Sequence, residues 1–113
     1  MRKVIKLIKP VDGIVRLMIY NNEFGSYLFG YKDLEDSSSV FDIWFESEID
    51  ALENCESKYG LRRQDWDEIK NPENGCQHDW INPVRIKGSQ NGKPEFGSFE
   101  KLINGEWVEI KYN

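Results

Sequence analysis

The sequence has little of the chemistry that reactive or metal-binding sites need. Its 113 residues include two cysteines and one histidine. Two cysteines are too few for a disulfide framework, and a zinc site needs about four nitrogen or sulfur ligands. The glycines match neither a phosphate-binding loop nor a nucleophile elbow. We therefore expect no metal ion and no cofactor.

Long apolar runs and a dense basic face are also missing. No uncharged stretch approaches the roughly 20 residues that a membrane-spanning helix needs. The start, MRKVIKLIKP, has lysines where a signal peptide would be apolar. Residues 21–60 carry ten acidic and two basic side chains, a net charge of −8 that would repel phosphate. These features predict a cytoplasmic protein that binds neither nucleic acid nor membrane.

The length and composition are typical of one ordered domain. A chain of 113 residues usually forms a single hydrophobic core. Apolar residues make up 39% and include four Trp, five Tyr and six Phe, while the charged residues are of mixed sign. This combination argues against disorder. We expect a single domain over residues 1–113.

The clearest structural signal is the stretch at 40–60, VFDIWFESEIDALENCESKYG. A strand over 40–45 leads to Ser47, which is a typical helix N-cap, with Asp50 in the place of a capping-box acid. One helical face then collects the apolar side chains that should pack on the sheet: Ile49, Leu52, Cys55 (or Glu56) and Tyr59. Gly60 can end the helix in a left-handed conformation. A helix over about 47–59 is predicted.

Four strands with short links are expected before this helix. They lie at 3–9, where Pro10 ends the first strand, and at 14–21, 26–32 and 40–45. Turn residues separate the first three, and Gly25 is free to take a positive φ. Consecutive strands of this kind favour an antiparallel meander. The predicted fold class is α+β, with an antiparallel meander of about four strands and one main helix packed on it.

A short second helix and a C-terminal hairpin are expected after the main helix. The segment RRQDWDEI at 62–69 would place Trp66 and Ile69 on the core together, and a short strand follows at 84–88. Asn104-Gly105 favours a type I′ turn in a hairpin over 98–112. The tight register would set Glu100 opposite Glu109, an unfavourable pair. Either this face is solvated or the register is shifted.

Several strands are apolar on both faces, as in the alternation of Phe41, Ile43 and Phe45 with Val40 and Trp44. One helix cannot cover both sides of a four-stranded sheet. Either the C-terminal hairpin covers the second face or a second copy of the chain does. The second alternative is the physical basis for a homodimer.

A thiol, an imidazole and a carboxylate occur close together in Cys76-Gln77-His78-Asp79-Trp80. Nucleophilic catalysis needs a thiolate held against a base that a third group orients. Sequence neighbours seldom reach that geometry, because such groups are assembled from separate elements. The alternative is that Trp80 anchors the loop to the core while His78 and Asp79 satisfy its backbone groups, and this interpretation is preferred.

Carboxylates are abundant, and paired carboxylates serve glycosidases when they face each other across a cleft. The pairs here fall in the first turns of expected helices: Glu46, Glu48, Asp50, Asp65, Asp67 and Glu68. Compensation of the helix dipole explains them without a substrate. They are interpreted as a solvated acidic face.

Residues 40–69 contain a set of short motifs: Trp44-Phe45-x-Ser47, Asp50-Ala51, Tyr59-Gly60-Leu61 and Asp65-Trp66. This set resembles a family of small bacterial proteins of unknown function. They follow a pattern of a strand ending in W-[FH]-x-[ST], a helix that begins with an acid and alanine, an aromatic–glycine–apolar exit and a D-W pair. The resemblance covers about residues 40–69. It implies a bacterial cytosolic α+β domain and implies no activity, and no role is carried over to Phe45, where the pattern also admits His.

The leading hypothesis is a non-catalytic, acidic protein-interaction module of the inhibitor or immunity type, which binds a basic protein partner. The alternative is a homodimeric structural or regulatory subunit, and the third hypothesis is a small enzyme that uses the Cys76-His78-Asp79 loop. The expected contact residues fall into two groups: Glu46, Glu48 and Asp50 on the acidic face, and His78, Asp79 and Trp80 on the loop.

Overall fold

Two antiparallel sheets and one main helix make up residues 1–110, the part of the chain that this computed structural model describes. The predicted α+β class is therefore confirmed. The chain divides into two compact units, Met1–Asn71 and Pro72–Asn113, which are described separately below. A single domain over the whole length stays a prediction. No helix in residues 1–110 is long and apolar enough to cross a membrane.

The first unit contains a five-stranded sheet in the order β4-β3-β2-β1-β5. The strands are β1 (Arg2–Val11), β2 (Ile14–Asn22), β3 (Gly25–Tyr31), β4 (Phe41–Phe45) and β5 (Asp67–Ile69). The first four pair antiparallel in chain order, and the sheet has one strand, β5, more than the predicted meander of about four strands. Pro10 does not end β1 as predicted, because the register between β1 and β2 shifts between Lys6 and Val11. Proline is tolerated at such irregularities, where its missing N–H breaks no ladder bond.

Helix α1 (Glu48–Tyr59) has the ends that the sequence predicts. The Ser47 hydroxyl accepts a hydrogen bond from the Asp50 amide at 3.2 Å, which satisfies one of the free N–H groups of the first turn. Gly60 adopts φ 68° and its N–H donates to the Glu56 carbonyl at 3.0 Å. Lys58 lies in the last turn, where a cation complements the helix dipole.

The main core lies between α1 and one face of the sheet. Ala51, Leu52 and Cys55 are the buried residues of the helix, and they pack with Leu17, Ile19 and Leu28 of the central strands. Tyr59 is partly buried against this cluster, as predicted. Ile49 is a correction, because it is 57% exposed. Ala51, two residues later, is fully buried, and the 3.6-residue period of the helix places Ile49 on nearly the opposite side from it.

Two buried arginines lie on the opposite face of the sheet. Arg16 stacks on the Tyr31 ring at 3.8 Å and donates to the backbone carbonyls of Asp33 and Glu35 at 3.3 and 2.9 Å. Its Nη1 atom is buried without a hydrogen-bond partner. Arg2 donates from Nε to the Lys70 carbonyl at 2.7 Å. These arginines fasten the 33–37 loop and the end of β5 to the sheet.

The expected second helix over 62–69 is not formed. A 3-10 turn at Arg63–Asp65 leads instead into β5, which pairs with Arg2–Val4 of β1. Trp66 enters the main core as predicted, but Ile69 pairs with Arg2 and lies on the opposite face from Trp66. The spacing of Trp66 and Ile69 suits a helix, yet pairing with a free sheet edge satisfies more backbone groups than one isolated helical turn.

The second unit contains a three-stranded sheet in the order β6-β7-β8. The strands are β6 (Val84–Ile86), β7 (Phe99–Ile103) and β8 (Glu106–Ile110), and a 3-10 turn at Ser89–Asn91 lies between the first two. Asn104 and Gly105 have φ of 51° and 81°, as the predicted type I′ turn requires. Lys111 and Tyr112 of the predicted hairpin lie outside the described residues.

The hairpin keeps the register that sets Glu100 opposite Glu109. Each carboxylate is compensated by a cation from the segment of β6. Arg85 Nε lies 3.0 Å from Glu100, and Lys87 Nζ lies 3.2 Å from Glu109. The like-charge pair is thus neither removed by a register shift nor left to solvent alone. Strand β6 and the residue that follows it supply the opposite charges.

Candidate functional site

A pocket of about 490 Å³ opens at one end of the five-stranded sheet in the first unit. It lies between the β2–β3 turn and the segment that joins β4 to α1. Its lining residues are Asn21, Asn22, Glu23, Phe24, Gly25, Ser26, Trp44, Glu46, Ser47 and Glu48. This volume falls within the roughly 300–1,000 Å³ of ligand pockets.

The meander brings these two distant segments together. In an antiparallel meander, alternate connections lie at the same end of the sheet. Tyr27 pairs with both Tyr20 and Trp44, so the β2–β3 turn and the end of β4 are neighbours. Gly25 has φ 136°, and a Cβ there would overlap the Trp44 indole and the Phe45 carbonyl. Glycine at this position permits both the turn and the close approach of Trp44.

Two exposed aromatic side chains form one wall of the pocket. Trp44 is 52% exposed and Phe24 is 71% exposed. The indole N–H of Trp44 donates to the Phe24 carbonyl at 3.0 Å, and the Phe24 amide donates to Asn22 Oδ1 at 2.8 Å. These bonds fix the turn and the indole while much aromatic surface stays accessible. Tryptophan side chains are frequent anchors of protein interfaces.

A chain of hydrogen bonds supports the polar side of the pocket. The Ser26 hydroxyl donates to Asn21 Oδ1, and Asn21 Nδ2 donates to Glu48 Oε2. The other oxygen of Glu48 accepts from Lys3 Nζ at 2.5 Å. Ser26 is only 1% exposed, so this network satisfies a buried hydroxyl. It also holds the Glu48 carboxylate against the sheet.

The pocket carries negative charge that the rest of the described chain leaves uncompensated. Lys3 balances Glu48, whereas Glu23 and Glu46 are exposed and make no ion pair within residues 1–110. No Lys or Arg is among the lining residues. The site therefore presents two free carboxylates beside two aromatic rings.

The predicted contact residues are divided between the two units. Glu46 and Glu48 line the pocket, and Asp50 lies exposed in the first turn of α1 without being part of the lining. The other three lie in the second unit, where His78 is exposed, Asp79 is half-buried and Trp80 is buried. Lys101 Nζ lies 5.0 Å from the centre of the Trp80 ring. Trp80 is 8% exposed, and its role as the anchor of the loop stays a prediction.

The backbone of Cys76 forms an isolated antiparallel bridge with that of Arg85 in the second sheet, and the Cys76 side chain is buried. Burial raises the pKa of Cys76 above its ordinary value, and the nearby Glu73 adds to this, while Arg85 acts in the opposite direction. The thiol is therefore protonated near neutral pH and lacks the thiolate that nucleophilic catalysis needs. Within residues 1–110, no group of three or more His, Cys, Asp or Glu is placed to hold a metal ion.

Sequence reasoning missed most of the pocket, including Asn21, Glu23, Phe24 and Trp44. The acidic half of the pocket could be predicted, because the carboxylates that flank Ser47 are close together in the sequence. The aromatic half required the register of β2, β3 and β4. A signal was present in the cluster NNEFG at 21–25, which joins the strands next to β4 and contains both an acid and an exposed aromatic residue.

Comparison of the chain with protein-family models, with curated proteins and with solved structures found no match. The functional interpretation therefore depends on the geometry and charge of the site.

Proposed function

We propose that this chain is a non-catalytic, acidic protein-interaction module of the bacterial cytoplasm, of the inhibitor or immunity type, and that it binds a basic protein. One observation carries the proposal. Free carboxylates of Glu23 and Glu46 lie beside the exposed rings of Phe24 and Trp44 at one end of the first unit. Asp50 adds a further exposed carboxylate in the first turn of α1.

The two kinds of group have complementary roles in association. Carboxylates attract a basic surface over a distance of about one Debye length, roughly 8 Å at physiological ionic strength, and so raise the association rate. Exposed aromatic rings lose water on contact and slow dissociation. An acidic rim around an aromatic anchor is therefore suited to a basic partner.

The proposal is tested with a variant that lacks the free charges, Glu23→Gln/Glu46→Gln/Asp50→Asn. A partner that the wild-type chain retains is purified, and its association with the wild-type chain and with this variant is measured by stopped flow from about 0.05 to about 0.5 M NaCl. We expect the wild-type association rate to fall by about tenfold or more over this range and the variant's rate to change little. An association rate that is insensitive to salt would contradict the proposal.

A homodimeric structural or regulatory subunit is the second candidate, and the edge strand β4 favours it. β4 is an edge of the five-stranded sheet and contains no proline, lysine or register shift. Such devices normally protect an edge from pairing with another chain. Ile43 and Trp44 of this strand are exposed. Antiparallel pairing of two copies about Ile43 would set Asp42 opposite Trp44, so no like charges would meet.

Light scattering separates this candidate from the first. A dimer through β4 predicts a doubled mass at tens of micromolar, lost in Ile43→Lys and retained in Ile8→Lys. Ile8 is a matched control because it is fully exposed on β1. A strict monomer at these concentrations would exclude the β4 dimer and leave the interaction module.

An enzyme that uses Cys76, His78 and Asp79 is the third hypothesis. The raised pKa of the Cys76 thiol counts against it, because a protonated thiol is a poor nucleophile. Rapid reaction of Cys76 with a small thiol probe near neutral pH would restore this hypothesis. Reaction only after unfolding would remove it.

A further inference from the structure

The second unit shows how this chain holds an arginine with an acid and an aromatic ring. The guanidinium carbon of Arg85 lies 3.6 Å from the centre of the Trp107 ring. Arg85 Nε lies 3.0 Å from Glu100 Oε1, and both side chains of this ion pair are largely buried. A planar cation thus stacks on an indole while its edge meets a carboxylate, which combines a cation–π contact with a charge-assisted hydrogen bond.

The pocket of the first unit contains the same two kinds of group without the cation. Trp44 supplies an indole that is half exposed, and Glu23 and Glu46 supply carboxylates with no ion-pair partner in residues 1–110. Phe24 offers a second exposed ring. In contrast, Glu48 already has Lys3 as its counter-charge, so it belongs to the support of the pocket.

We propose that this pocket takes an arginine side chain of the basic protein partner, with the guanidinium stacked on Trp44 and its N–H groups directed to Glu46 and Glu23. This inference rests on the proposed function and names the group that the module recognises. The indole is held by its bond to the Phe24 carbonyl, so the stacking surface is in place before the partner arrives. Such preorganisation lowers the entropy cost of binding.

Arginine fits this site better than lysine for a geometric reason. A guanidinium is planar and has five N–H donors, so one edge can bond a carboxylate while its face lies on a ring. A lysine ammonium is compact and strongly hydrated, and it loses more of its hydration in such a pocket. The pocket volume of about 490 Å³ leaves room for the neighbouring residues of the partner's chain.

Arginine recognition is tested by NMR titration with N-acetyl-arginine-N′-methylamide. The lysine compound and the neutral citrulline compound serve as comparison probes. We expect the arginine probe to bind in the millimolar range and to shift the Trp44 indole N–H and the Asn21 side-chain amide. The lysine probe should bind about threefold or more weakly, and the citrulline probe weaker still, because citrulline keeps the shape but not the charge.

Substitutions of exposed carboxylates supply the matched controls. Glu46→Gln and Glu23→Gln should each weaken binding of the arginine probe by about threefold, as the loss of one partly exposed ion pair predicts. Glu68→Gln removes the same charge from the exposed strand β5, outside the lining, and should leave the affinity within the error of the titration. Trp44→Leu should abolish the preference for arginine over lysine.

The outcomes separate this inference from the function on which it rests. Equal affinity for the arginine and lysine probes, or an equal loss in Glu68→Gln and Glu46→Gln, would overturn arginine recognition. Salt-sensitive association with the partner would then still support an acidic module that binds without this pocket. Selective arginine binding together with salt-insensitive association would keep the pocket and overturn the steering role of the acidic face.

Discussion

Replacing Glu48 by glutamine should reduce the free energy of unfolding by about 1.5 kcal/mol. Glu48 Oε1 lies 2.5 Å from Lys3 Nζ, and the two side chains are 33% and 24% exposed. A pair whose two side chains are mostly withdrawn from water contributes about 1 kcal/mol, at the upper end of the range for surface ion pairs. The carboxylate also lies at the first position of α1, where the helix dipole contributes about 0.5 kcal/mol.

A double-mutant cycle with Lys3→Met isolates the ion pair from the dipole. In the Lys3→Met background, Glu48→Gln should cost only about 0.5 kcal/mol, which leaves a coupling energy of about 1 kcal/mol. Urea denaturation followed by circular dichroism provides the free energies. For a chain of this length, the single substitution should lower the Tm by roughly 6 °C, at about 4 °C per kcal/mol.

Glu46→Gln is the control for this cycle, because Glu46 precedes the helix and makes no ion pair within residues 1–110. It should change the stability by less than about 0.5 kcal/mol, as surface substitutions do. A coupling energy near zero, or an equal effect of Glu46→Gln, would refute the reasoning. The hydrogen-bond network that supports the pocket would then contribute nothing measurable to the free energy of unfolding.

Four further predictions concern single residues: the helix cap Ser47, the turn residue Gly25, the Arg85 cation of the second sheet and the buried thiol of Cys55. Ser47→Ala should cost about 1 kcal/mol in urea denaturation because the Asp50 amide loses its acceptor; Ser47→Asp, which keeps one, should cost much less. Gly25→Ala should cost about 3 kcal/mol, since the turn needs φ 136° and a Cβ would overlap the Trp44 indole and the Phe45 carbonyl; a cost under about 1 kcal/mol would mean that both the indole and the backbone move freely. Arg85→Met should speed hydrogen exchange of the hairpin amides by about tenfold or more, because Glu100 and Glu109 then face each other with one cation fewer, and adding Glu100→Gln should restore most of the protection. Burial raises the pKa of Cys55 from 9.0 to about 12, with a smaller contribution from Glu56. The folded state therefore holds the Cys55 proton more tightly than the unfolded state. The stability that results is complete below pH 9 and is lost as the pH rises towards 12, by up to about 1.4 kcal/mol per pH unit. Cys55→Ala should flatten this dependence of the free energy of unfolding on pH, and an unchanged dependence would assign it to other groups.

Local signals in the sequence predicted the elements whose ends depend on a few adjacent residues. Ser47 and Gly60 bound α1 because a cap and a left-handed exit act within one turn of the chain. Asn104 and Gly105 set the hairpin turn for the same reason. In these cases the residues that determine the structure are neighbours in the sequence.

Features that depend on distant pairing were predicted less well. Asp67–Ile69 forms a strand because the edge of β1 is free to pair with it, and that edge lies more than sixty residues away in the sequence. The compensation of Glu100 and Glu109 needs Arg85 and Lys87 from another strand. Neighbouring residues do not show that β1 pairs with 67–69, so local preference predicted a helix at 62–69. They also do not show that Arg85 and Lys87 meet the two glutamates, so the register of the hairpin stayed open.

The candidate site shows the same division. The acidic residues near Ser47 were recognised from the sequence, but the pocket exists only because the meander places Phe24 and Trp44 at the same end of the sheet. The composition of the loop around His78 predicted contact residues there, but Trp80 of this loop is buried. Composition therefore indicated the charge of the site, whereas its shape followed from strand register.

Arginine recognition by the pocket is tested most directly by the position of a bound guanidinium. Nuclear Overhauser effects from the side chain of N-acetyl-arginine-N′-methylamide to the chain locate it without a partner protein. The δ-methylene protons of the probe should give cross-peaks to the indole ring of Trp44 and to the side chain of Glu46. Cross-peaks only to acidic residues elsewhere, such as Glu53 on the exposed side of α1, would contradict the claim.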